Sequence, residues 1–219
     1  MNKELDSVKK IIMAYCDSPC TIIEAGCYDG AITRHLCNYA SGKLGFYAAF
    51  ECDNRSIQKI KRSAIPSSVV LVEKALGAFD GEIELYVSDG ISKNRFIYDC
   101  ASSTRKPKQV FEDWPEIRFR ETYTVPCITL DTFCSENNIE SIDLIWADIQ
   151  GAEKDMIQGA SKIISNTKFL FLEHSEDREW YEGQWTYPQM VNEMKDLGFD
   201  VYDKFENDVI FYNTKLITL

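Results

Sequence analysis

The sequence predicts an α/β fold whose sheet is largely parallel and covered by helices on both faces, and three observations carry that prediction. Short apolar runs rich in β-branched and aromatic residues alternate with stretches of helical periodicity along most of the 219 residues. The runs are apolar throughout, as strands buried on both faces are. Near the C-terminus two of them are separated by only a short acidic loop, so that pair must be antiparallel, because a parallel crossover needs roughly ten or more residues.

Taken in order, Leu5, Val8, Ile11, Ile12 and Tyr15 recur at helical spacing and predict an amphipathic helix over 3–15. It occupies an N-terminal segment, 1–18, and can either pack on the core or cover a pocket. Residues 19–219 contain no repeat and no linker and read as a single domain. A strand at 21–23 runs into the turn Glu24-Ala25-Gly26-Cys27-Tyr28-Asp29-Gly30 and then a helix over 31–39. A strand at 46–50 ends at Glu51, a helix covers 56–63, and a strand covers 69–72. Residues 82–87 then alternate polar and apolar, as a half-exposed strand does, and 123–128 is the expected partner. The polar stretch between them, 88–122, is long for a connection and reads as an inserted loop on the substrate side. Helix over 130–137, strand over 142–147, helix over 153–164 and strand over 169–172 restore the rhythm, and a helix over 187–197 precedes the terminal pair at 199–202 and 209–212.

Composition bounds the function. With 45% hydrophobic and 27% charged residues the chain can build a substantial core. It has no run of about 18 apolar residues and no signal-peptide pattern at its start, so a soluble, cytoplasmic protein is expected, without a membrane partner. A formal net charge of -11 argues against nucleic acid, whose binding draws on clustered Lys and Arg, and favours a small-molecule or glycan substrate. The eight cysteines form no C-x-x-C pair, so buried reduced thiols are expected rather than structural zinc. Nothing in the sequence specifies an oligomeric state.

Ligands of open parallel sheets bind beyond the carboxyl ends of the strands. The polar residues that end the apolar runs are Glu24, Glu51, Asp148, Glu173 and His174, and His174 is one of only two histidines. Gly26 and Gly30 allow backbone to approach a ligand, and Glu51 can accept hydrogen bonds from ribose hydroxyls. Together these residues outline an adenosine site. The spacing is not G-x-G-x-x-G, and an acid before the glycine turn would repel a pyrophosphate, so S-adenosylmethionine fits better than a dinucleotide.

The segments Glu24-Ala25-Gly26-Cys27-Tyr28-Asp29-Gly30, Ala49-Phe50-Glu51, Lys74-Ala75-Leu76-Gly77, Thr129-Leu130-Asp131, Asp148-Ile149-Gln150-Gly151-Ala152-Glu153, Gly159-Ala160 and Leu172-Glu173-His174 resemble, in order and spacing, the FkbM family of S-adenosylmethionine-dependent methyltransferases over about residues 20–175. The resemblance implies a Rossmann-like, seven-stranded class I methyltransferase sheet ending in an antiparallel hairpin. It also implies O-methylation of a hydroxyl of a sugar, glycan or related small metabolite. Residue by residue it puts Glu24, Gly26 and Gly30 at the methionine end of the cofactor, Glu51 at the ribose, and Ala75 and Leu76 at the adenine, with Cys27, Tyr28 and Cys52 also among the cofactor contacts. Asp148 would lie near the sulfonium and the acceptor. Departures from the family pattern are Glu24 for Asp, Cys27-Tyr28 for Ala-Asn, Cys52 for Pro and Gln150 for Glu.

A hydroxyl nucleophile needs a proton acceptor, and Asp148, Glu173 and His174 are the candidates, with His174 favoured because its ordinary pKa of about 6.5 suits base work near neutrality. The same three could alternatively hold a divalent cation, although no metal is expected. Ser102, Ser103 and Arg105 concentrate hydroxyls and charge in the inserted loop, and Trp180 and Trp185 offer flat faces, so these five are the expected substrate contacts. The competing readings are a non-catalytic S-adenosylmethionine-binding protein of the same fold and a nicotinamide-dependent oxidoreductase.

Overall fold

In the computed structural model, which describes residues 2–91 and 97–219, the strands of the main sheet send alternate side chains into two apolar layers. The first strands and helices are α1 (Asn2–Tyr15), β1 (Cys20–Ala25), α2 (Ala31–Tyr39), β2 (Leu44–Phe50), α3 (Asn54–Arg62) and β3 (Val69–Val72). β4 (Ala75–Leu76), β5 (Gly81–Asp89), α4 (Val110–Asp113) and β6 (Arg118–Ile128) follow. The chain continues through α5 (Leu130–Glu136), β7 (Ile142–Ala147), α6 (Glu153–Gln158), a 3-10 turn (Ile163–Asn166), β8 (Thr167–Glu173), α7 (Tyr187–Asp196), β9 (Phe199–Lys204) and β10 (Asp208–Asn213).

The seven-stranded sheet has the order β3-β2-β1-β7-β8-β10-β9. Its first five strands are parallel, while β10 pairs antiparallel with both β8 and β9. Ile22, Tyr47, Leu144, Trp146, Phe169 and Phe171 face one layer, which α1 closes with Leu5, Val8, Ile11 and Ile12. The N-terminal helix therefore packs on the core. Ile23, Ala25, Ile145, Ala147, Leu170 and Leu172 face the opposite layer under α5, α6 and α7. The strand order reverses at β1, with β2 on one side and β7 on the other, and this is where such sheets open a ligand crevice.

Two expectations are corrected. The strands expected at 82–87 and 123–128 are longer, pairing from Gly81 opposite Cys127 to Asp89 opposite Arg118 with one register shift between Val87 and Ser88, and β4 joins them in a separate three-stranded sheet. The connection expected at 88–122 is thereby confined to 90–117, and it contains α4; its residues 92–96 lie outside the described residues. The helix expected over 153–164 ends at Gln158, and Gly159, which follows it, packs so closely on the Gly77 carbonyl that a Cβ would come 2.0 Å from it. Asp131 restarts the chain by accepting hydrogen bonds from the backbone N–H groups of Lys162 and Ile163. All eight cysteines are unpaired; six are buried, while Cys52 is half-buried and Cys100 exposed. Among the described residues no helix is long and apolar enough to cross a membrane.

Candidate active site

Register makes the site. Ala25 lies level with Phe50 on one side and Ala147 on the other, and Ala147 lies level with Leu172. The next residues, Glu51, Gly26, Asp148 and Glu173, therefore form one row along the carboxyl edge of four adjacent strands. All four line a cavity of about 570 Å³, within the range of small-ligand sites.

At the Glu51 end the carboxylate accepts hydrogen bonds from the backbone N–H groups of Cys52 (2.8 Å), Asp53 (2.8 Å) and Tyr28 (3.0 Å). A carboxylate has about four acceptor positions, so one remains for a ligand hydroxyl. Burial lifts the Glu51 carboxyl to about 7 against the effect of these three donors. Gly26, with φ of 81°, lies so close to β7 that a Cβ would come 1.9 Å from the Asp148 carbonyl oxygen. Only glycine keeps this turn flush with its neighbour strand. Ala75, Leu76 and Leu85 supply an apolar flank beyond Glu51. Tyr28 and Asp99 fasten the segment after residue 97 to α3: the Tyr28 hydroxyl donates to Asp99 (2.6 Å), and Lys59 donates to both Asp99 (2.5 Å) and Tyr28 (2.8 Å).

At the other end Asp148 and Glu173 are joined through Gln150, whose amide donates to Asp148 (2.7 Å) and Glu173 (3.1 Å). Asp148 is exposed to the cavity, where the surrounding protein pushes its carboxyl above the usual range, partly offset by the Gln150 amide. Glu173 is pushed well above that range, first by burial and then by Asp148, Glu153 and Asp208. Burial likewise lifts Glu153 to about 8 and Asp208 to about 7. Carboxyls this close cannot all ionise near neutrality, so the cluster can take up a proton and also favours a cationic ligand group. Among the described residues no group of three or more His, Cys, Asp or Glu side chains could hold a metal ion.

Of the residues expected at the site, Gly26, Cys27, Tyr28, Glu51, Cys52, Ala75, Leu76, Ser102, Asp148, Glu173 and Trp180 line the cavity. Others do not. Glu24 is fully buried within the core layer beside α2, where Thr33 and Tyr47 each donate a hydrogen bond to its carboxylate at 2.6 Å. Gly30 caps α2, and a side chain there would strike Ile65 at 2.7 Å, so its glycine serves packing. His174 follows Glu173 along an extended strand end and points to the opposite face. Its ring packs on Tyr187 at 4.8 Å with both nitrogens buried and unpartnered, so it neither reaches the cavity nor joins Asp148 and Glu173 around a cation. Ser103 donates to the Gln150 carbonyl at 2.7 Å, Arg105 is ion-paired with Asp155, and Trp185 is buried in the core with Lys154 over its ring. Ser102 reaches the cavity already engaged with Asp53 and Arg55.

Tyr98, Trp114 and Ile117 line the cavity beyond the residues expected there, and so does Tyr181, which lies beside Trp180 in an aromatic stretch with substrate-facing character. Their signal was available as apolar residues inside otherwise polar stretches, but nothing local says which cavity such residues face.

The residues present fit S-adenosylmethionine: Glu51 has a free acceptor position, the Gly26 turn lies flush against the end of β7 beside the cavity, and the acidic floor suits a cation. The fold is that of a methyltransferase, as comparison with solved structures shows. The crystal structure of methyltransferase FkbM from Methylobacillus flagellatus KT overlays with a TM-score of 0.56 at 12% identity, over 90% of this chain and 44% of that one. This chain therefore spans less than half the length of that structure. The model of the methyltransferase FkbM domain matches residues 24–201. The 2-O-methyltransferase NoeI of Sinorhizobium fredii (strain NBRC 101917 / NGR234) is 33% identical over 200 residues, covering 89% of this chain and 80% of the relative. The chain belongs to the FkbM family of S-adenosylmethionine-dependent methyltransferases.

Proposed function

We propose that this protein is an O-methyltransferase acting on a hydroxyl of an uncharged sugar, glycan or related small metabolite, with Asp148 as the proton acceptor. The observation that carries the reading is the level row Glu51, Gly26, Asp148, which sets a carboxylate beside the glycine turn at the point where the strand order reverses. A relative one-third identical to this chain bears the name of a 2-O-methyltransferase, which supports oxygen as the accepting atom. S-adenosylmethionine, when bound, supplies an electrophilic methyl group on a cationic sulfur.

The chain's own contribution is alignment and proton handling. Glu51 orients a ribose through its remaining acceptor position, and the backbone at Gly26–Tyr28 bounds the opposite end of the ligand. Asp148 opens onto the acceptor half of the cavity and takes the hydroxyl proton. Trp114, Ile117, Trp180 and Tyr181 wall that half with flat and apolar surface suited to the faces of a sugar ring, and they shield it from water. The acidic floor disfavours phosphorylated or carboxylated acceptors, so nucleotide-linked sugars are poor candidates.

The test has two stages. Excess S-adenosylmethionine or S-adenosylhomocysteine should raise the melting temperature, with NAD as the inactive control. Methyl-labelled S-adenosylmethionine should then mark an oxygen of a neutral saccharide. A stabilising effect of NAD alone would overturn the cofactor assignment, and label on nitrogen or carbon would overturn the choice of accepting atom.

A further inference from the structure

The residue that joins the two cavity carboxylates is itself held in an unusual way. Gln150 has φ of 55° and is followed by Gly151 at 89°, two successive residues in the left-handed region. A non-glycine residue there is strained and persists only where its surroundings dictate it. Those surroundings are visible. Ser103 donates to the Gln150 carbonyl at 2.7 Å, and the Tyr181 hydroxyl lies 3.2 Å from the Gln150 amide oxygen and 2.9 Å from the Ala101 carbonyl. The Tyr181 ring lies under Gly151, where an added Cβ would come within 2.9 Å of it. Both N–H bonds of the Gln150 amide are directed at carboxylates, and its oxygen faces a hydroxyl donor. The reverse orientation would turn the amide oxygen towards two acids and the amide N–H groups towards Tyr181.

Resting on the reading of Asp148 as base, we propose that Gln150, braced by Tyr181, is a positioning residue that holds Asp148 and Glu173 as one proton-sharing pair and sets the pH at which Asp148 accepts a proton. In turnover the proton leaves the acceptor hydroxyl for an Asp148 carboxylate oxygen and is later released to water, so Asp148 must begin ionised. An amide N–H donated to a carboxylate favours its charged form. Desolvation by the surrounding protein opposes ionisation of Asp148, and the groups whose own protonation its charge favours lie on several elements: Glu173 on β8, Glu153 on α6, Asp208 on β10, Glu24 on β1, and Cys100 and Tyr181 from the loops above. Gln150 is the neutral donor set against them. A carboxylate at position 150 would add a further negative charge to the same spot.

The test is a carbon-13 NMR titration of the side-chain carboxyls of the whole protein, labelled at Asp and Glu, with Asp148→Asn and Glu173→Gln locating the pair's signals. Because the two groups interact, the midpoints belong to the pair. Gln150→Met keeps the volume and removes the amide; it should raise the pair's midpoints by about one pH unit, the size of a lost hydrogen bond to a charged group. Tyr181→Phe keeps the ring under Gly151 and should move them the same way by less. Unchanged midpoints in folded Gln150→Met would overturn the proposal, as would midpoints that fall. If Gln150→Met does not fold, Tyr181→Phe decides by the same criterion. A merely structural role would lower the melting temperature without moving the titration. Failure of the underlying reading is distinguishable: Asp148→Asn with wild-type turnover would remove the base assignment whatever the titration shows.

Discussion

Replacing Glu51 with Gln changes one atom and separates the two jobs its carboxylate performs. One oxygen accepts from Cys52 and Asp53, each at 2.8 Å, and the other accepts from Tyr28 at 3.0 Å. In Glu51→Gln the amide oxygen can keep the first pair, but the amide nitrogen then meets the Tyr28 N–H donor to donor. The ligand also loses its charged acceptor. Loss of one hydrogen bond to a charged group costs about 1.5–3 kcal/mol, or roughly ten- to hundredfold in dissociation constant. Calorimetric titration of S-adenosylhomocysteine at pH 8 should show a loss of that size. The wild-type affinity should also weaken as the pH falls through about 7, where burial places the Glu51 carboxyl, while the variant loses this component of the pH dependence. Equal affinity of the two proteins, with the same pH dependence, would refute the ribose role of Glu51.

Other consequences concern stability, His174 and the acceptor wall. Glu24, Glu51 and Asp208 are lifted to about 7 and Glu153 to about 8, all above their unfolded values, so the ligand-free folded state holds extra protons in the window from about 4.5 to 8. Their contribution to stability is complete below that window and lost as the pH rises through it. The melting temperature should fall between about pH 5 and pH 8; a rise would contradict the burial of these acids. His174→Phe should keep the contact with Tyr187, remove two unpartnered ring nitrogens, and leave turnover unchanged with an equal or higher melting temperature. A turnover loss of tenfold or more would return His174 to the chemistry. Trp180→Phe gives up the indole N–H donated to Asp113 at 2.7 Å and part of the cavity wall. It should raise the acceptor KM with little change in S-adenosylhomocysteine affinity, and an unchanged KM would remove Trp180 from the acceptor site.

The strand and helix rhythm was legible because buried strands are apolar end to end, and the polar residue that stops each run marks the sheet's carboxyl edge. The structure places Glu51, Asp148 and Glu173, chosen on that ground, in the cavity lining. Glu24 and His174 lie elsewhere for two different reasons. Glu24 is on the same face as Gly26 but two residues earlier within β1, so it is buried one step below the row, beside α2. His174 lies one residue beyond Glu173 and turns to the other face. The face a residue takes depends on the register at which a strand ends, which a single sequence does not show. Of the two tryptophans expected at the substrate, Trp180 lines the cavity, while Trp185 is buried in the core under the sheet. Gln150 stood out only as a departure from the family pattern; its bridging role needed the left-handed backbone and the Tyr181 hydroxyl, both tertiary facts.

Methyl transfer to a neutral saccharide hydroxyl by Asp148→Asn, compared with the wild type at saturating S-adenosylmethionine, tests the central claim most directly. The substitution keeps the shape of the floor and removes the proton acceptor. The variant should bind S-adenosylhomocysteine about as well as the wild type and transfer methyl groups to oxygen roughly 100- to 10,000-fold more slowly. Wild-type turnover in Asp148→Asn would contradict it.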